Sequence, residues 1–125
     1  MSAIKAAKRL AISMLFAAAA GAANAEVKLP DGNDWAKATE REHLAYILGL
    51  SNTLAVGYLS DEKRLPGRKD TFTHRAVEGL GGTTVEEAVN RIDAWYKAHP
   101  NKLDTPIFKV LWDQIGKPHL AKSKQ

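Results

Sequence analysis

The sequence predicts an all-α fold, a small bundle of three main helices plus one short helix after a cleaved signal peptide. Three observations carry that reading. Apolar residues recur at three- and four-residue spacing in three windows. Threonine followed three residues later by glutamate, the capping-box spacing, stands before two of those windows. No run alternates apolar and polar residues as a half-buried strand would.

The chain opens with a secretory pattern over residues 1–25. Lys5, Lys8 and Arg9 precede a predominantly apolar run, Leu10 to Ala20, and Ala23-Asn24-Ala25 supplies the small-x-small motif that signal peptidase cuts. Eleven residues reach only about 16 Å as a helix, against roughly 30 Å of bilayer hydrocarbon. A stable membrane span is therefore not expected, and the mature chain is expected to start at Glu26. Residues 26–38, with Pro30-Asp31-Gly32, read as an extended lead-in from which Trp35 folds back onto the core.

The first long helix opens at Thr39, with Glu42 completing the box. Leu44, Ile47, Leu48, Ser51, Leu54, Ala55 and Tyr58 define one face. Gly49 and Gly57 each weaken such a helix by about 1 kcal/mol relative to alanine. Close approach by another helix accounts for them. Ser60 to Asp70 reads as an exposed, charge-dense loop centred on Pro66-Gly67, and Thr71 to Leu80 as a short helix ended by Gly79, Gly81 and Gly82. Thr83 or Thr84 then caps a helix whose stripe is Val85, Ala88, Val89, Ile92, Trp95 and Tyr96, and Pro100 ends it near Ala98. A last helix starts around Thr105-Pro106, with Ile107, Phe108, Val110, Leu111, Trp112 and Ile115 as its buried side, until Gly116 and Pro118 stop it. Residues 39–116 are thus the helical domain, and 117–125 a flexible basic tail. With Trp35, Trp95 and Trp112 near three different helices, the centre is expected to be rich in tryptophan.

Composition narrows function. The chain has 18 basic and 14 acidic side chains, and three of the basic ones lie in the leader. The remaining 15 against 14 leave a net charge of +1, no basis for a nucleic-acid partner. With no cysteine, thiol catalysis, thiolate metal sites and disulfides are excluded. His43, His74, His99 and His119 form no metal-ligand spacing and read as solvent-facing or capping residues. Glu86-Glu87 and Asp61-Glu62 are sequence neighbours, and neighbours on a helix point about 100° apart, so neither pair is aimed at one substrate atom. No serine lies in a nucleophile-elbow context, and Gly79-Leu80-Gly81-Gly82 lacks the strand and lysine of a phosphate loop. No catalytic residue, metal or cofactor is expected. What remains is surface: the turn Leu65, Pro66, Gly67 and Arg68, the glycine-rich segment 79–83, and Tyr96 with Asp93 and Lys97 at the edge of a protein-binding patch.

Tyr46-x-x-Gly49 in the first helix, the break Gly82-Thr83-Thr84, and a helix ending Trp95-Tyr96-x-x-His99-Pro100 together resemble the Tai-type immunity proteins, over Ala45 to about Leu120. That resemblance implies a small helical periplasmic protein that binds and inhibits a peptidoglycan amidase delivered by type VI secretion. Family members commonly carry cysteines that staple the fold, and this chain departs from them there. No family inhibitory residue matches a position here. The competing reading is a periplasmic envelope-maintenance or small-ligand-binding protein with no toxin partner. N-terminal sequencing of the exported protein should begin at Glu26; an intact Met1 would overturn the leader.

Overall fold

The computed structural model describes residues 26–125; the leader expected over 1–25 lies outside them. The described residues are all-α, with helices α1 (Gly32–Lys37), α2 (Glu40–Arg64), α3 (Phe72–Leu80), α4 (Val85–Ala98) and α5 (Ile107–Leu111), a π turn (Trp112–Gly116) and α6 (Lys117–Ser123). Among them no helix is long and apolar enough to cross a membrane.

The lead-in is not extended throughout, because Asp31 starts a helix. Its carboxylate accepts from the Asn33 and Asp34 amides at 2.9 and 3.4 Å, and Asp34 returns the favour to the Asp31 amide at 3.0 Å. This reciprocal cap satisfies donors that would otherwise be orphaned. Pro30 anchors the segment from the other side, its carbonyl accepting from the Ile107 amide at 2.9 Å. The result is a buried Trp35, only 4% exposed. Its indole Nε1 donates to Asp93 Oδ1 at 2.6 Å. The ring stacks on His43, with centroids 3.8 Å apart and planes 2° from parallel.

Thr39 and Glu42 form the expected box, with bonds of 3.2 and 2.8 Å, and α2 then runs 25 residues. It passes through Ser60–Arg64, five residues expected to be loop. The added turn has tertiary partners: Thr73 donates to Asp61, and Tyr58 stacks on His74 at 4.5 Å. Lys63 and Arg64 also suit a helix C-terminus. Gly57 has the role expected of it, since a Cβ there would lie 2.6 Å from Thr73 Cγ2. Gly49 does not, because among the described residues nothing lies within 4 Å of its would-be Cβ.

Thr84, not Thr83, caps α4 by accepting from the Glu87 amide at 3.1 Å. The helix ends at Ala98, ahead of Pro100, as its sequence requires. The C-terminal helix does not stop at Gly116. Proline lacks an N–H and crowds the carbonyl four residues back. Here the Lys117 amide bonds to the Trp112 carbonyl five residues back, and this π turn carries the chain past Pro118 into α6. The segment expected to be a flexible tail is therefore helical to Ser123, and Leu120 is buried. Gly116 admits the turn: a Cβ there would collide with the Trp112 ring, and one at Gly79 would meet the Gly116 carbonyl at 3.0 Å. Gly79 is thus a contact between α3 and the C-terminal helix.

The core centres on Ile92 and Val110, with Trp35, Ile47, Val89, Tyr96, Ile107 and Leu111 around them. The tryptophan-rich centre is corrected to one buried indole. Trp95 and Trp112 are half-buried; Trp95 stacks on His99 at 4.2 Å and Trp112 on Phe108 at 6.4 Å. Trp35→Ala should therefore cost about 3–5 kcal/mol in urea unfolding. Trp95→Ala should cost only roughly 1–2 kcal/mol. Equal losses would contradict this placement.

Candidate functional site

The turn between α2 and α3 contains four of the five residues singled out for partner binding. Leu65 ends α2, its amide bonded to the Asp61 carbonyl at 2.7 Å, and the Arg68 amide closes on the Leu65 carbonyl at 3.0 Å. Gly67 sits at φ 77°, a left-handed conformation that favours glycine. The Arg68 guanidinium then grips Asp70 in a two-point fork, Nε and an Nη each 2.7 Å from a carboxylate oxygen. Both ends of the turn are pinned: Asp61 accepts from Thr73, and Thr71 caps α3 by accepting from the His74 amide at 3.2 Å. Leu65, Pro66, Gly67 and Arg68 are all exposed. Fixed at its base and open at its tip, this is a preorganised projection. Gly67, Arg68 and Asp70 also border an open groove of about 560 Å³ with Lys69, Arg75, Glu78, Leu120 and Lys124.

Tyr96 does not join them. It is buried against Gly32, where a Cβ would lie 2.5 Å from its ring, and its hydroxyl donates to the Thr105 carbonyl at 2.6 Å. Burial pushes its phenol up to about 12. The helical stripe to which Tyr96 belongs faces inward, so its hydroxyl serves the fold and not a surface patch. Asp93, expected beside it at the patch edge, is the acceptor for Trp35.

Two histidines also differ from expectation. His43 is half-buried under Trp35, and its Nε2 must carry the proton because it lies 2.7 Å from the Trp35 carbonyl. His74 is buried, with Nε2 3.6 Å from Glu62 and Nδ1 without a hydrogen-bond partner among the described residues. His99 does cap, with Nδ1 2.7 Å from the Trp95 carbonyl. Among the described residues no group of three or more His, Asp or Glu could hold a metal.

A second feature escaped the residue-by-residue reading. An apolar pocket of about 160 Å³ lies between α2, α3 and α4, lined by Ile47, Leu50, Leu54, Ala76, Leu80 and Leu111 among others. The sequence carried one hint of it: from His43 to Ser60 there is no Asp, Glu, Lys or Arg. No family model, no curated protein and no solved structure matches this chain.

The Arg68 fork holds the Asp70 carboxyl down to about 2. A carboxyl depressed on folding gives its stabilisation in full above its ordinary range near 3.8, and loses it as pH falls toward 2. Side-chain carboxyl NMR should therefore place the Asp70 midpoint near 2. Arg68→Gln should return it toward 3.8, and an unchanged midpoint would show that the fork does not form in solution.

Proposed function

We propose that this chain is a non-enzymatic exported protein that acts by binding another protein, as an immunity-type inhibitor of a peptidoglycan amidase. The observation that carries this reading is the Leu65–Arg68 turn, exposed at its tip and locked at its base by Asp61, Thr73 and the Arg68–Asp70 fork. An inhibitor of this kind needs a rigid scaffold and a projection that fits an enzyme cleft, since an ordered loop forfeits little entropy on binding. An exposed Leu65 beside a paired Arg68 offers an apolar contact flanked by charge. The export leader and the Tai-type motifs supply the periplasmic setting and the class of partner.

The second reading, a periplasmic small-ligand-binding protein, is favoured by one observation, the apolar pocket between α2, α3 and α4. At about 160 Å³ it has room for a molecule no larger than benzene, and its lining is mostly aliphatic.

Affinity capture from periplasm separates the two. The inhibitor reading expects a stoichiometric peptidoglycan amidase in the eluate, lost when Leu65–Arg68 is replaced by Gly-Ser. It also expects inhibition of that amidase in a peptidoglycan digest. A folded protein that captures no amidase, while benzene is retained in the pocket, would overturn it in favour of the ligand reading.

A further inference from the structure

The groove beside the α2–α3 turn gathers positive charge that the fold leaves unpaired. Lys69 and Arg75 line it from the turn and from α3, and Lys124 from the end of α6. Among the described residues none of the three has an ion-pair partner. Arg68 is already matched by Asp70, so Glu78 is the one carboxylate of the lining left to oppose them. The chain around the groove is biased the same way. Residues 63–78 and 117–125, the two stretches that meet there, hold eight basic and two acidic side chains. The other described residues hold seven basic and twelve acidic, so an overall +1 conceals a split of +6 against −5. Asp61 and Glu62, next in the chain, are turned to Thr73 and His74.

We infer that this groove receives an acidic, extended segment of the protein partner, alongside the projecting Leu65–Arg68 turn; the inference rests on the reading that the chain acts by binding a protein. Like charges held together without counter-charges repel one another, and a concave site lined by one sign focuses its field on an approaching opposite charge. At about 560 Å³ the groove falls within the roughly 300–1,000 Å³ of ligand clefts. Leu120 is the one large apolar side chain in its lining, so charge and not hydrophobic burial selects what enters.

Glu78 discriminates between kinds of anion. A phosphate backbone or an anionic bilayer presents negative charge at every step and would set one against Glu78. A bilayer is also flat, whereas these cations line a concavity. A peptide alternates: its carboxylates can face Lys69, Arg75 and Lys124 while its amide N–H groups donate to Glu78. Groove and turn share Gly67 and Arg68, so a partner seated on the turn brings its neighbouring surface onto these cations. Attraction between exposed charges of this kind raises the rate of association more than it slows dissociation.

Fluorescence anisotropy of a labelled hexaglutamate peptide with the purified protein at low salt should show saturable one-to-one binding that weakens as salt rises. Arg75→Glu with Lys124→Glu should weaken it by more than about tenfold, and Lys97→Glu with Lys102→Glu, outside the groove, by no more than about twofold. All four positions are exposed, so helicity and melting should hold in both double variants. No binding of the peptide, equal losses in the two variants, or tighter binding to phosphatidylglycerol vesicles through Arg75 and Lys124 would each overturn the proposal. Capture from periplasm separates it from the inhibitor reading. An amidase held equally by the native chain and by Arg75→Glu with Lys124→Glu, at a salt-independent association rate, keeps the inhibitor and overturns the groove. A protein that binds hexaglutamate as described but captures no amidase supports the groove and removes the inhibitor.

Discussion

Trp35 is buried where α1, α2 and α4 meet. One side chain joins three helices: it leaves α1, stacks on His43 of α2 and donates to Asp93 of α4. The His43 ring also bonds the Trp35 carbonyl, so the backbone is held at the same point as the indole. An indole N–H buried without an acceptor would cost free energy comparable to the bond it lacks, and Asp93 removes that cost. With α1 held there, Pro30 meets the first amide of α5 and Gly32 slides beneath Tyr96. The C-terminal helix is thus placed from the N-terminal side of the fold, across most of the chain.

The second closure is made by backbone, where the first is made by an aromatic ring. Gly79 and Gly116 let α3 and the C-terminal helix come close enough for the Trp112 ring to cover the crossing. Pro118 does not end the helix, because the π turn shifts the hydrogen-bond register one residue before it. Leu120 then packs inward, and α6 supplies Leu120 and Lys124 to the groove beside the α2–α3 turn. A helix read as a frayed end is in fact one wall of the region proposed to meet a partner.

Helix α2 ties structure to function. Its inner side supplies Ile47 and Leu54 to the buried set, its C-terminal turn holds Asp61 and Glu62 against α3, and the exposed projection begins at Leu65. Its outer side is apolar and bare. A domain of about 100 residues has little core to spare, yet its longest helix leaves Leu48, Val56 and Leu59 exposed. The turn and the outer face are separate surfaces, Leu65–Arg68 at the end of α2 and Leu48, Val56 and Leu59 along its side.

Legible in the chain alone are the helical class, the Thr39 start, a second start at Thr83 or Thr84, the end of α4 before Pro100, and the inward stripe from Val85 to Tyr96. Those features are local: a cap satisfies amides three residues away, and periodicity needs only the helix's own geometry. The sequence also marked the Leu65–Arg68 turn, because Pro66-Gly67 is a local breaker. Long-range contacts settle which tryptophan is core, why Gly57 and not Gly49 has a close neighbour among the described residues, and that Ser60–Arg64 and Lys117–Ser123 are helical. Each of those outcomes rests on a partner far along the chain: Asp93 for Trp35, Thr73 for Gly57 and Asp61, Gly79 for Gly116. Helix propensity is worth tenths of a kcal/mol per residue, so burial against a distant neighbour overrides it at the ends of elements, where proline and glycine otherwise appear to rule.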